Sequence, residues 1–251
     1  MNETFRKELE QGLRGLSLTL SEEQKEQLFR YYEMVIEKNR VMNLTAITEE
    51  ADFVQKNLVD SLALVLAGPK VRGMLETAGV SLIDVGTGAG FPGLVLKIAF
   101  PGLKVTLADS LQKRLTFLEE VIAALSLSGV STVHGRAEDL AHRKGLREGF
   151  DLVTARAVAD LSVLSEYCLP FAKRGGAFVS YKSGAVEDEF ERALYAEGLL
   201  GGEAGEPVKY QLPGTDIARS LVVINKTGKT PARFPRKAGT PGKEPLRRMK
   251  E

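Results

Sequence analysis

The run Asp84-Val85-Gly86-Thr87-Gly88-Ala89-Gly90 sets three glycines at alternate positions, with an acid two residues ahead of the first. It closes an apolar, strand-like stretch and precedes a helix-like one, which is where a nucleotide loop has to sit. Glycines there let backbone approach a ligand and supply turn dihedrals that a Cβ would hinder. The spacing is Gly-x-Gly-x-Gly, not the Gly-x-Gly-x-x-Gly of dinucleotide binders. A pyrophosphate would be repelled by a nearby carboxylate. Asp84 suits instead a ligand with a positive end, such as the sulfonium and ammonium of S-adenosylmethionine. Asp84, Gly86 and Gly88 are therefore the expected contacts of the loop.

Two further acids extend the site. Asp109 ends the second predicted strand, 19 residues after Gly90, where a carboxylate can accept hydrogen bonds from both ribose hydroxyls. The lesser alternative is a cap for the helix that starts near Leu111, which has Ser110 as its expected N-cap. After the third predicted strand, Ala137-Glu138-Asp139 is placed to meet an adenine edge; away from that strand end, Glu138 would read as an ordinary surface acid. Phe91, just past the glycines, fits either the core or a place against the ligand.

Absent motifs narrow the chemistry. Enzymes that methylate exocyclic base amines carry an Asp/Asn-Pro-Pro-aromatic run after the fourth strand, and here Thr154-Ala155-Arg156-Ala157 stands there. Cytosine C5 chemistry needs a nucleophilic cysteine, and Cys168 lies mid-helix among apolar neighbours, which argues for an inert thiol. His134 and His142 have no partner at metal-ligand spacing and read as structural or surface residues. No general base stands out, and no metal site is expected.

The elements that must position these residues follow from periodicity. Up to about residue 80 the chain is helical. Ser21-Glu22-Glu23-Gln24 has capping-box spacing, and Leu28, Tyr31, Tyr32, Val35 and Ile36 repeat on one face. A further helix is expected through Phe53, Leu58, Leu62 and Val65, ended by Gly68-Pro69. From Ser81 short apolar strands alternate with longer helical stretches, the pattern of a parallel sheet covered by helices. Strands are expected at 81–85, 104–108, 131–134, 151–154 and 177–181, and helices at 93–100, 111–125, 161–171 and 186–196. Two more strand-like runs, 207–212 and 220–225, should pair antiparallel at the sheet end.

With 43% apolar and 27% charged residues among 251, the chain can bury a substantial core. It has no stretch long enough to span a membrane and no signal-peptide pattern, and its single cysteine rules out an internal disulfide. A cytoplasmic location is expected. The net charge of +1 hides nine basic residues against Glu244 and Glu251 from Lys226 onward. Prolines and glycines interrupt this tail. A basic, broken arm beside an acidic body fits a polyanion partner, and equally a solvated tail. Three regions result: a helical cap over 1–80, the glycine-loop domain over 81–226, and a basic arm over 227–251.

The blocks Asn43-Leu44-Thr45-Ala46-Ile47, Asp60-Ser61-Leu62, Asp84 to Gly93, and Leu107-Ala108-Asp109-Ser110-Leu111-Gln112-Lys113-Arg114 occur in an order that resembles the RsmG (GidB) family. Arg156-Ala157-Val158-Ala159, Leu212-Pro213 and Phe234-Pro235-Arg236 extend the resemblance over nearly the whole chain. It implies a Rossmann-like class I S-adenosylmethionine-dependent methyltransferase, with a mostly parallel seven-stranded sheet, an antiparallel last strand and an N-terminal helical extension. The implied product is 7-methylguanosine in 16S ribosomal RNA, made on the RNA or the small subunit by a monomer. Carried over by motif, the cofactor contacts are Gly86, Phe91, Ala137, Glu138 and Arg156. Arg156 and Lys182 are candidate catalytic groups; Asn43, Lys182, Arg233 and Arg236 are candidate RNA contacts. The sequence departs from relatives at Asn57, where His is usual, and at Val95, where Pro is common. Transfer to another RNA or a small molecule, and a non-catalytic regulator that binds the same cofactor, are the rival readings. A nicotinamide enzyme is disfavoured by Asp84 and the glycine spacing.

Overall fold

The capping box at Ser21 forms as its spacing requires: Ser21 Oγ accepts from Gln24 N at 3.2 Å, and Gln24 Oε1 accepts from Ser21 N at 2.8 Å. In the computed structural model, which describes residues 1–156 and 159–248, it opens the long helix α2 (Glu22–Met42) after α1 (Glu3–Gly15). Leu28, Tyr31 and Val35 of α2 are buried, while its polar side chains close other helices. Gln24 Nε2 donates to the carbonyls of Ile98 and Ala99, and Gln27 Nε2 to that of Leu125. These last-turn carbonyls would otherwise lack partners.

The helix expected through Phe53 to Val65 is one helical run that changes pitch. It starts as α3 (Glu50–Phe53), widens to a π-helical turn (Val54–Val59), returns to α4 (Asp60–Leu62) and tightens to a 3₁₀ turn (Ala63–Leu66). Such widened turns often mark functional sites. α1 lies directly on this run, so closely that a Cβ on Gly12 would collide with Val59. Gly68, at φ +105°, ends it, but Pro69 then opens one more helix, α5 (Pro69–Glu76). Proline is suited to a first helical turn because its missing N–H would be unpaired there.

The remaining elements alternate: β1 (Ser81–Val85), α6 (Gly93–Ala99), β2 (Lys104–Asp109), α7 (Gln112–Ala124), β3 (Val130–His134), α8 (Ala137–Leu140), β4 (Phe150–Ala155), α9 (Leu161–Cys168), β5 (Ala172–Ser183), α10 (Glu187–Leu199), β6 (Gly202–Ala204), β7 (Val208–Gln211), β8 (Ala218–Lys226) and α11 (Thr240–Lys243). The sheet order is β3-β2-β1-β4-β5-β8, with β6 and β7 sharing the outer edge of β8. The sheet therefore has the seven expected positions, the last filled by two short strands. β1 to β5 run parallel, and β8 runs antiparallel to β5. β6 escaped the sequence pattern because three residues are too few for alternation to register.

Side chains alternate between two cores. Leu82, Leu107, Leu152 and Val179 face α1 to α7, while Ile83, Val153, Phe178 and Val222 face α8 to α10. The helices over residues 1–80 thus share one apolar core with the sheet. The chain after β8 is mostly irregular, with one helical turn, and lies against the body: Thr230 and Phe234 are both buried. Among the described residues no helix is long and apolar enough to cross a membrane.

One core group is ionisable and poorly paired. Neither carboxyl oxygen of Glu197 has a hydrogen-bond partner among the described residues, and burial pushes its pKa from 4.5 up to about 7. The folded protein holds a proton that the unfolded chain has already released. This contribution is therefore present below pH 4.5 and is lost as pH rises to about 7. Glu197→Gln should raise stability at pH 8 by on the order of 2 kcal/mol and change it little at pH 4. Urea unfolding at the two pH values checks this; an equal effect at both would refute it.

Candidate active site

The carboxyl ends of β1, β2, β3 and β4 converge where the strand order reverses, between β1 and β4. Open α/β sheets bind ligands in this crevice. The glycine loop leaves β1 there. Gly86 N and Thr87 N both donate to Ala108 O, tying the loop to the end of β2. Gly86 has φ +72°, and a Cβ there would meet nothing within 4 Å, so its backbone borders open space. Gly90, at φ +102°, is glycine for another reason: a Cβ would strike the Tyr31 hydroxyl, which donates to Ala89 O. The N-terminal helix α2 thus braces the loop from outside.

Asp84, whose charge suggested a ligand contact, is enclosed and lines neither of the clefts described below. It is 0% exposed. Its Oδ2 accepts from Thr87 Oγ1 at 2.7 Å and Gly93 N at 3.0 Å, and its Oδ1 from Thr154 Oγ1 at 3.0 Å. Burial raises its pKa, against the pull of these hydrogen bonds. The carboxylate ties β1, the loop, α6 and β4 together, and any influence on a bound cation acts through the loop it shapes.

Asp109 is also nearly enclosed, at 3% exposure. Its Oδ2 accepts from Gly88 N and its Oδ1 from Leu111 N, each at 2.9 Å. Asp109 thus closes a turn onto Leu111 N, but the N-cap of α7 is Leu111, which makes no side-chain cap bond, so neither Asp109 nor Ser110 serves as the N-cap. Gly88, read as a ligand contact, spends its N–H on Asp109. Oδ2 also lies 3.5 Å from Arg114 Nη1, while Oδ1 keeps a second acceptor site, which leaves room for a ribose hydroxyl.

A cleft of about 260 Å³ opens beside these groups. It is lined by Gly86, Asp109, Ala137, Glu138, Leu164 and Tyr167 among others. Ala137 and Glu138 begin the single turn α8. Two acids at strand ends, an open glycine backbone and apolar walls fit an adenosyl group. Leu164 and Tyr167, from α9, were missed because their helical spacing is that of any core stripe.

A second cleft of about 590 Å³ adjoins the first through Ala159, which lines both. Arg156, directly after β4, forms its wall. The guanidinium donates to Lys56 O at 2.8 Å and Asn57 Oδ1 at 2.9 Å, and lies 3.4 Å from Asp60 Oδ2. It stacks over Phe91, 5.3 Å from the ring centroid, a favourable arrangement for a cation. Phe91 is buried against Tyr31 and Phe53. Of the two readings open for Phe91, the core is the one occupied. Asp60, 4% exposed, also receives the Tyr210 hydroxyl at 2.9 Å and faces Arg219 Nε at 3.6 Å. Asn57, noticed in the sequence only as a departure, is a partner of Arg156, and its amide oxygen supplies the acceptor that interaction needs.

Lys182 lines the same cleft, its Nζ bonded to Ala159 O at 2.6 Å and Glu189 Oε1 at 2.5 Å. The other expected RNA contacts lie elsewhere. Asn43 is the exposed, left-handed C-cap of α2. Arg233 is exposed and stacks on Phe234. Arg236 is not free but paired with the buried Glu166 at 2.7 Å. Ala157 and Val158 of the Arg156 block lie outside the described residues. Cys168 is buried, which pushes its thiol pKa well up, and His134 and His142 bond backbone carbonyls.

The sheet order, the glycine loop at its switch point and the two adjoining clefts define a class I S-adenosylmethionine-dependent methyltransferase. The fold is shared with a methyltransferase from Pyrococcus furiosus at a TM-score of 0.53, with 17% identity over 81% of this chain and 99% of that one. It is shared also with a Glu-to-Gln mutant of MtNAS in complex with S-adenosylmethionine, at 0.53 and 14% identity over 81% and 73% of the two chains. The family model for GidB, rRNA small subunit methyltransferase G, matches residues 24–206. Ribosomal RNA small subunit methyltransferase G of Lachnoclostridium phytofermentans is 49% identical over 96% of this chain and 97% of its own length. The protein of that name from an Exiguobacterium species is 50% identical over 94% and 97%. The chain belongs to the GidB family.

The two acids at the loop should respond differently to removal. Asp84→Ala orphans three buried donors and should lower stability by about 3 kcal/mol. That corresponds to roughly 6–12 °C in melting temperature. Asp109→Ala should weaken S-adenosylhomocysteine binding roughly tenfold with a smaller loss of stability. Calorimetric titration and thermal melts of both variants separate the roles, and unchanged binding by the Asp109 variant would remove its ribose assignment.

Proposed function

We propose that this protein transfers a methyl group to N7 of a guanine in 16S ribosomal RNA, as a cytoplasmic monomer acting on the RNA or the small subunit. The observation that carries this reading is the state of the acids in the larger cleft. Asp60 is taken up by Arg156, Arg219 and Tyr210. Asp160 caps α9 through Ser162, and Glu189 holds Lys182 and Leu161 N. No histidine lines the cleft among the described residues. Abstracting a proton calls for a positioned base, and each candidate carboxylate already serves as an acceptor. Guanine N7 has an in-plane lone pair and no proton, so it is a nucleophile that such a cleft can use as it arrives.

When bound, S-adenosylmethionine supplies an electrophilic methyl group on a sulfonium sulfur. Asp109, Glu138, Ala137 and the open backbone at Gly86 would hold its adenosyl part. The protein's remaining work is alignment and exclusion of water, which can supply much of a transfer barrier. Arg156 and Lys182 are the groups placed to orient the base through O6 or a flanking phosphate. Both are already paired with acids, so they bring donors without an excess of positive charge. That matters because methylation at N7 makes the base cationic. Asn43 and Arg233, both exposed, are assigned to the RNA backbone. In this reading residues 81–226 carry the transfer, and Lys56, Asn57 and Asp60 of the helical cap complete the wall of the cleft.

Arg156→Ala should reduce methylation of small-subunit RNA by at least about a hundredfold, the scale of a misplaced reactant, while the fold persists. Mapping 7-methylguanosine in RNA from cells lacking the protein, with and without each version restored, reads this out. Full methylation by the variant would discard the role of Arg156, and no 7-methylguanosine with the wild type would discard the N7 assignment.

A further inference from the structure

Part of the basic tail that the sequence offers to a polyanion is instead stapled to the protein. Residues 230–244 cross the outer side of α8 and α9 on a series of specific anchors. The Arg147 guanidinium donates to the carbonyls of Thr230, Pro231 and Phe234 at 2.9, 3.2 and 2.8 Å. His142 Nε2 donates to Pro235 O at 2.8 Å, the only role it can take toward a carbonyl. Phe234 is 3% exposed in the core beneath. The strongest anchor is Arg236. Its Nε and Nη2 reach Oε1 and Oε2 of Glu166 at 2.9 and 2.7 Å, its backbone N–H adds a bond to Oε1 at 2.8 Å, and Nη2 also donates to Glu244 O. Glu166 is 0% exposed. A forked, bidentate pair on a buried carboxylate fixes direction as well as position.

Three residues further on, Gly239 adopts φ +85°, a conformation that L side chains rarely take. Its N–H donates to Glu138 Oε1 at 2.8 Å. Among the described residues Glu138 Oε2 accepts no hydrogen bond, although the side chain is only 5% exposed and lines the adenosyl cleft. α8, which carries Glu138, is four residues long and too short to hold a conformation unaided. Glu166 lies on α9, between Leu164 and Tyr167 of the opposite cleft wall. One strap therefore grips both walls and presents a single N–H to the cleft's acid.

We propose that the Arg236–Gly239 strap is a positioning element of the cofactor site: Arg236, clamped on Glu166, delivers the Gly239 N–H to one oxygen of Glu138 and leaves the other aimed at a donor on the adenosine. Arg236 is then a positioning residue for the methyl donor and not an RNA contact. The proposal rests on the reading of Glu138 as a cofactor contact. Releasing the strap returns rotamer freedom to Glu138, which should cost the ligand about a tenfold loss of affinity.

Calorimetric titration of the full-length protein with S-adenosylhomocysteine tests this in a double-mutant cycle. Arg236→Ala should raise the Kd about tenfold, and Arg236→Lys should recover part of the loss. In a Glu138→Ala background, Arg236→Ala should change nothing further. Affinity for a 16S RNA fragment at saturating cofactor should stay within about twofold. Removing one partner of a buried ion pair can unfold a protein, so the paired change Arg236→Met with Glu166→Met, which leaves no charge orphaned, provides the same cycle. An unchanged Kd for Arg236→Ala with a raised Kd for Glu138→Ala would overturn the strap alone. An unchanged Kd for Glu138→Ala would overturn the Glu138 assignment and the strap with it. Multiplicative losses, or a fall in RNA affinity without a change in cofactor Kd, would also overturn the proposal.

Discussion

A fully buried carboxylate, Asp84, sits where β1 gives way to the glycine loop and accepts hydrogen bonds from the loop, from the start of α6 and from β4. Burying a charge is expensive unless its lone pairs are satisfied, so this arrangement tolerates little displacement of any of the three. Once they are held, Gly86 must border the cleft, Asp109 must receive Gly88, and the end of β4 must project Arg156 across from Asp60. The site is a consequence of strand order and one saturated acid.

The two clefts divide their chemistry by how their charges are paired. In the adenosyl cleft the acids retain acceptor capacity: Asp109 meets Arg114 through Oδ2 but gives Oδ1 to a single turn N–H, and Glu138 is held by one oxygen only. In the larger cleft the acids are consumed by cations. The first environment suits a ligand rich in donors, and the second suits a base that needs neither deprotonation nor added positive charge. Both clefts are built from groups that other elements brace: Tyr31 of α2 behind the loop, Phe91 under Arg156, and the strap behind Glu138.

Several side chains that read one way along the chain act another way in space. Arg236 and Lys226 count as tail cations, yet one pairs with Glu166, and the other is buried with its Nζ bonded to Leu169 O and Leu200 O. Asp84 carries the charge expected of a ligand contact and works as a brace. Ser110 has the chemistry of an N-cap, yet α7 starts from Leu111 with no side-chain cap bond, and the carboxylate turned toward Leu111 N is that of Asp109. Composition reports what a residue could do; its partners, remote in sequence, determine what it does.

Local pattern alone was sufficient for the alternation of strands and helices, the capping box at Ser21, the glycine loop, and the placing of Asp109 and Glu138 at strand ends. Each depends on neighbours within a few positions, where periodicity and turn chemistry act. The split edge strand, the pitch changes between Phe53 and Leu66, the pairing of Arg156 with Asn57 and Asp60, and the clasp of Gly239 on Glu138 depended on tertiary structure. Those contacts join residues roughly 100 positions apart, a separation at which no local preference of the chain specifies a partner.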